Sequence, residues 1–319
     1  MNAEQHHRGM KAKTIKAILA KKFNSFAASI EDEAVRALVE KNTIITGGCI
    51  ASMLLGEKIN DFDLYFTDHA TTKAVAEYYV ARFEVKNRHG IPCAITVDDR
   101  DGRVRVVVKS AGIASEEGAA AEYEYFEGSP EDRAAGYVGE VMSDPGDVED
   151  AYQETEAMAL ETADATYRPV FMSTNAITLS DKIQIVLRFY GAADAIHENY
   201  DFVHCTNYWT SKDGNLTLRQ PALESLLCKE LRYVGSKYPV CSVIRLRKFI
   251  RRGWVINAGQ ILKMMMQVSE LDLTDPAVLQ DQLTGVDSAY FIELMSKVKE
   301  NDPEKVNAAY LVEIIDRMF

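Results

Sequence analysis

Apolar residues recur at helical spacing through positions 12–40. Ile15, Ile18, Leu19 and Phe23 form one stripe, and Ala34, Val35, Leu38 and Val39 form a second. Thr43–Thr46 predicts a short strand that ends at Gly47-Gly48. Cys49–Leu55 predicts one or two helical turns stopped by Gly56. Asp61–Phe66 alternates strictly and predicts another strand. A helix is expected over 71–83. Two β-rich runs, 91-IPCAITVDD-99 and 103-RVRVVVKS-110, flank Asp101-Gly102 and predict a hairpin.

The β pattern returns at 183-IQIVLRF-189 and at 200-YDFVHCTNYW-209, with 213-DGNLTL-218 as a hairpin partner. From Pro221 onward the spacing predicts helices near 221–232, 240–252, 257–268, 287–299 and 303–318. No internal repeat interrupts this order. Strands in one block and helices in another predict an α+β fold. We divide the chain into a domain over 1–219 and a C-terminal helical domain over 220–319.

Composition changes the picture at one place. The chain has 319 residues and a net charge of −12, but residues 111–165 hold sixteen Asp or Glu and one basic residue, Arg133. That stretch carries −15 and leaves +3 for the rest. Segment 111–166 is rich in Ala, Glu, Gly and Asp and reads as an acidic insertion, partly disordered or loosely helical, with a helix near 148–163. Residues 216–252 are the reverse, with nine Lys or Arg against two Glu. The acidic sum therefore hides a basic surface.

Other totals exclude function classes. No run of 18 apolar residues predicts a membrane span, and the first residues lack the apolar stretch of a secretory signal. Five scattered cysteines without a C-x-x-C pair fit reduced thiols in a cytoplasm and argue against structural zinc.

The chemistry gathers at 44-IITGGCIASMLLGEKINDFDLYFTD-68. In a strand, Asp61, Asp63 and Tyr65 share one face while Phe62, Leu64 and Phe66 share the other. Two such carboxylates repel unless a cation lies between them, and a hard divalent ion prefers oxygen ligands together with substrate phosphates. A glycine turn lets backbone approach a phosphate, and the helix after it offers unpaired N–H groups. Turn and carboxylates together predict a metal–phosphate site. The bland alternative is a tight turn followed by a solvated edge strand.

The apolar residue, G-G, and D-F-D-L at positions 61–64 resemble the signature of the DNA polymerase β-like nucleotidyltransferase superfamily, with Thr46 before the glycines as a small departure. The resemblance implies a mixed β-sheet with flanking helices and two Mg²⁺ ions, with Mn²⁺ as a substitute. It also implies transfer of an NMP from ATP or another NTP with loss of pyrophosphate. It further implies a third carboxylate, for which Asp201 in 200-YDFVHC-205 is the candidate; an aspartate at the start of an edge strand is the alternative. Asp98 and Asp99 look more like turn chemistry, and His204 reads as a packed histidine.

On a helix from about 240, Arg245, Lys248 and Arg252 form one face and Arg247 with Arg251 an adjacent pair, while Val243, Ile244, Leu246, Phe249 and Ile250 can pack inward. This row reads either as a contact for a triphosphate or a nucleic-acid backbone, or as a solvated cationic face. Gly47, Gly48, Ser52, Arg219, Lys237, Arg245 and Lys248 are the candidate nucleotide-binding residues. The run 167–191, the YDFVH strand and the 235–254 segment are also similar to bacteriophage-encoded nucleotidyltransferase-like proteins. That implies the cytoplasm of an infected bacterium as the setting.

The tRNA CCA-adding enzymes carry G-G-x-V-R-D at the turn, and here Ala51 and Ser52 replace its Arg and Asp. The reading is therefore a Mg²⁺-dependent nucleotidyltransferase whose acceptor is an RNA or tRNA 3′ end, a protein side chain or a small molecule. Asp61, Asp63 and Asp201 are its expected catalytic and metal-binding residues. The alternative is a non-catalytic nucleotide-binding or interaction protein that works through its acidic insert. The oligomeric state does not follow from the sequence.

Overall fold

The computed structural model describes residues 9–83, 85–86, 92–109, 126–127, 167–173 and 175–273, together with 275, 278 and 282. Most of the acidic insertion and the helices expected near 148–163, 287–299 and 303–318 lie outside the described residues. Among the described residues no helix is long and apolar enough to cross a membrane.

The first helical stretch divides in two, α1 (Ala12–Ser29) and α2 (Glu33–Asn42). Asp32 causes the division. Its carboxylate accepts the N–H groups of Ala34 and Val35 at 2.9 and 3.0 Å, an N-cap worth about 1 kcal/mol. Then follow β1 (Thr43–Thr46), α3 (Gly48–Leu55), β2 (Phe62–Phe66) and α4 (His69–Val80). Helix α3 stops where expected, at Gly56, whose φ of 70° is the left-handed conformation that glycine adopts without cost.

Next come β3 (Val85–Lys86), β4 (Pro92–Asp98) and β5 (Arg105–Lys109), a separate antiparallel sheet in which β4 and β5 form the expected hairpin. The chain resumes with β6 (Phe126–Glu127), β7 (Pro169–Ser173), β8 (Ala176–Leu179) and β9 (Ile183–Tyr190). After α5 (Ala193–His197) come β10 (Tyr208–Thr210) and β11 (Leu216–Thr217).

The main sheet is mixed, with order β11-β10-β1-β2-β9-β8-β7-β6. Every neighbouring pair is antiparallel except β2 with β9. One face packs on α1, α2 and α4. Ile15, Leu19, Phe23 and Phe26 meet Ile45, Leu64, Ile185 and Trp209 in one buried cluster. Each fully buried side chain of this kind contributes about 1.5–3 kcal/mol. The other face carries Ile44 and Tyr65, covered by Ala193 and Ile196 of α5.

The strand expected over 200–209 forms only at its end. Phe202 makes a single bridge to Tyr233, and Val203–Cys205 turns as a 3₁₀ helix. Local hydrogen bonds outcompete the ladder here: Thr206 donates its N–H to the Val203 carbonyl at 3.1 Å and its hydroxyl to the same oxygen at 2.7 Å.

The region after residue 219 holds α6 (Gln220–Cys228), α7 (Pro239–Arg251) and α8 (Ala258–Ser269). It also holds a parallel strand pair, β12 (Glu230–Leu231) with β13 (Val255–Ile256), which takes the place of the last turn expected in the first helix. Lys229, in the left-handed conformation, ends α6 early. Ala51 of α3, Phe202, Leu226, Leu231, Tyr233, Trp254 and Met264 share one buried cluster, so these helices dock on the end of α3. Leu246 and Phe249 join that cluster, but Val243 and Ile250 are exposed rather than packed inward.

Candidate functional site

Gly47 leaves β1 at φ 93° and ψ −152°, a conformation closed to other residues, and donates its N–H to the Cys205 carbonyl at 3.2 Å. A Cβ on Gly47 would stand 2.7 Å from Asp63 Oδ2 and 3.5 Å from Tyr200 Oη. The turn is thus pressed against the carboxylate. Gly48 begins α3, and a Cβ there would meet nothing within 4 Å among the described residues. The first N–H groups of that helix have no carbonyl partner within it.

Strand β2 sets Asp63 between Thr46 of β1 and Gln184 of β9. Asp61 is exposed and sits one residue before the strand. Burial pushes the Asp63 carboxyl well above the usual carboxylate range, and the charge of Asp61 pushes it further; Arg245 and Lys248 pull the other way. Two carboxylates and two cations therefore share one electrostatic neighbourhood. The Tyr65 hydroxyl, two residues on, is also raised, chiefly by burial and then by Asp63.

Helix α7 brings the cations. Pro239 opens it, and its apolar contacts on the shared cluster fix which side faces the sheet. Arg245 Nη1 lies 2.5 Å from Asp201 Oδ2, and Asp201 Oδ1 accepts the N–H of Phe202 at 3.0 Å. Asp201 is buried, and its charge holds the Arg245 guanidinium firmly protonated. Lys248 follows one turn later and is exposed. Arg252 reaches Glu57 at 2.5 Å, where Lys229 also binds at 3.1 Å; both cations hold the Glu57 carboxyl below its usual range, against the effect of burial.

Of the residues expected from sequence, the structure gathers Gly47, Gly48, Asp61, Asp63, Arg245 and Lys248, with Asp201 directly behind Arg245. Ser52 is buried in α3. Arg219 stands apart, paired with Asp194 and 5.4 Å from the centroid of the Tyr208 ring. Lys237 is exposed, and its carbonyl accepts the Gln282 side-chain amide at 3.2 Å. His204 is buried against Phe202, Phe249 and Trp254, as a packed histidine would be, although its Nδ1 has no hydrogen-bond partner among the described residues.

Sequence reasoning missed a support below the turn. The Thr46 hydroxyl donates to the Asn207 carbonyl at 2.8 Å, so its oxygen accepts from His197 Nε2, also at 2.8 Å. Burial and then Arg219 lower the His197 pKa to about 4, which keeps the ring neutral. It missed the ion pairs of Glu57 as well, because Glu57 belongs to no spacing pattern.

The donor set bears on the expected cation. Among the described residues no group of three His, Cys, Asp or Glu side chains gathers to hold a metal ion. Asp61 and Asp63 offer only oxygen, and the Asp63 carboxyl is raised by burial first and then by the charge of Asp61. The pair fits one hard divalent ion whose remaining positions go to neutral oxygens, water or phosphate.

A mixed sheet with flanking helices defines a protein of the α+β class, and a glycine turn, a carboxylate pair and a cationic helix form its candidate site. The chain belongs to the Gabija anti-defense 2 family, whose model matches residues 17–229. It is similar to Gabija anti-defense 2 of Bacillus phage SPbetaL7, with 21% identity over 123 residues, 38% of this chain and 31% of that protein. The matched stretch thus spans about a third of that relative's length.

Two solved structures of CCA-adding enzymes also overlay on the chain. The Thermotoga maritima enzyme complexed with tRNA shows 13% identity and a TM-score of 0.39, over 87% of this chain and 54% of that one. A CCA-adding enzyme with CTP shows 12% identity and a TM-score of 0.41, over 97% and 52%.

Proposed function

We propose that the protein is a divalent-cation-dependent nucleotidyltransferase that moves an NMP from an NTP to an acceptor hydroxyl, and that a phage uses this activity against the Gabija defence in the host cytoplasm. The observation that carries the reading is the contact of the Gly47 turn with Asp63, faced by Arg245 and Lys248.

In this reading each residue has a part. Gly47 and Gly48 leave room for phosphate oxygens against the first N–H groups of α3. Asp61 and Asp63 hold the cation, most simply Mg²⁺, which when bound neutralises charge on the phosphoryl oxygens. Arg245 and Lys248 attract the triphosphate and stabilise the charge that builds on the departing pyrophosphate. Asp201 keeps Arg245 charged and in place. The acceptor hydroxyl attacks the α-phosphorus and gives up its proton to water, the bond from the α-phosphorus to the α,β-bridging oxygen breaks, and pyrophosphate leaves in line. The basic face of α7 favours an RNA or tRNA 3′ end as acceptor over a protein side chain.

One observation favours a second reading. The third acidic residue, Asp201, is committed to Arg245. A chain that binds a nucleotide and does not turn it over would tolerate that arrangement.

Incubation of the protein with each α-³²P-labelled NTP, Mg²⁺, and host RNA and protein, resolved on gels, tests the proposal. Label in RNA or protein that disappears with D61N/D63N supports transfer. Nucleotide binding without label on any acceptor favours the second reading.

A further inference from the structure

Building on the cation-dependent reading above, we propose that Gln184 is the third oxygen ligand of this site, its side-chain carbonyl joining Asp61 and Asp63 around the divalent ion.

Gln184 is the direct neighbour of Asp63 on the parallel strand β9. Register partners on adjacent strands present their side chains on the same face, with the strands about 4.7–4.9 Å apart. The burial of both strands agrees. Phe62 and Leu64 of β2 and Ile183, Ile185 and Leu187 of β9 are buried in the main core, and Asp63 and Gln184 alternate with them on the other face, partly exposed. Thr46 lies in register beyond Asp63, and Thr178 beyond Gln184, so a polar row crosses four strands.

The other polar neighbours are spoken for. Thr46 is fully buried, with its hydroxyl shared between Asn207 and His197. Asp201 gives one oxygen to Arg245 and the other to the Phe202 N–H. Gln184 is partly exposed, as Asp63 is, and its side chain is one carbon longer. At the strand spacing of a sheet, a side chain of that length would span the distance to an ion seated on the Asp63 carboxylate.

The chemistry is suitable. Hard divalent cations accept side-chain amide carbonyls as well as carboxylates, and affinity falls as the ligand charge count falls. Two carboxylates and one amide bind the cation more weakly than three carboxylates. A site of this kind fills fully only when phosphate oxygens arrive with the nucleotide.

Mn²⁺ binding to the full chain at pH 8, followed by calorimetry and by the electron paramagnetic resonance signal of free Mn²⁺, tests the assignment. The variants are D63N, Q184A, Q184E and D201N, with circular dichroism to confirm folding. We expect Q184A to weaken Mn²⁺ binding about tenfold and Q184E to tighten it. An unchanged Q184A with a weakened D201N makes Asp201 the third ligand and overturns the assignment. Weakening by both Q184A and Q184E makes Gln184 a hydrogen-bond donor to Asp63 and overturns it too. If the parent and D63N bind Mn²⁺ alike, the cation-dependent reading fails, and this assignment with it.

Discussion

The guanidinium of Arg245 closes on the carboxylate of Asp201 at 2.5 Å, and the Asp201 side chain is only 10% exposed while that of Arg245 is 39% exposed. Removing the cation leaves a buried charge without its counter-ion, whereas removing the carboxylate leaves a cation that water can reach. Arg245→Ala should therefore destabilise the protein by about 2–3 kcal/mol, below the 3–5 kcal/mol of a fully buried pair. D201N should cost less. Urea unfolding of both variants checks the order, and equal losses would contradict it.

The contact between Gly47 and Asp63 leads to a sharper contrast between adjacent glycines. Gly47→Ala forces a side chain into a left-handed conformation and toward Asp63 Oδ2 at 2.7 Å. Strain of this kind costs about 1–3 kcal/mol and displaces the carboxylate. Gly48→Ala meets no packed neighbour within 4 Å among the described residues, so stability should hold. If a phosphate lies there, Gly48→Ala should still weaken binding of a fluorescent NTP analogue several-fold. Binding unchanged by both substitutions would place the nucleotide elsewhere.

Two buried histidines set the acid limit of the fold. Burial, with Arg219 or Arg252 as a lesser cause, lowers the pKa of His197 and of His204 from 6.5 to about 4. The unfolded chain binds these protons below pH 6.5 and the native state does not, so stability is full above that pH and falls as pH drops toward 4. Each histidine accounts for roughly 3 kcal/mol over that range. Urea midpoints at pH 7.5 and 5 should show the loss, and a double substitution by Gln should flatten it.

How far the sequence reveals this site depends on the range of each interaction. Strand β1, the glycine turn, α3 and β2 lie within 25 consecutive residues, and alternation with punctuation suffices to place them. The Arg245 and Lys248 face follows from helical spacing alone. Asp201 was expected in a strand because Tyr200, Phe202 and Val203 are good strand formers; its partner Arg245 lies 44 residues away and leaves no local trace. The β12–β13 pair was invisible because two-residue strands have no period. Gln184 was invisible for another reason: register between β2 and β9 is set by the packing of Leu64 and Ile185, not by any spacing in the chain.

The carboxylate pair should be a place where function costs stability. Burial and Asp61 together raise the Asp63 carboxyl well above its ordinary range, so the ionised pair is under repulsion when no cation is bound. A neutral isostere relieves that repulsion without changing shape. In EDTA at pH 8, D63N should therefore be more stable than the parent, by roughly 1–2 kcal/mol, as is common when a functional site is neutralised. Added Mg²⁺ should raise the melting temperature of the parent by mass action and leave D63N unmoved. D61N should act in the same direction and more weakly, since Asp61 is exposed. Differential scanning fluorimetry across a Mg²⁺ series checks all three variants together. A parent that does not respond to Mg²⁺, or a D63N variant that melts below it in EDTA, would show that the pair is a structural feature already satisfied by Arg245 and Lys248 and not a cation site.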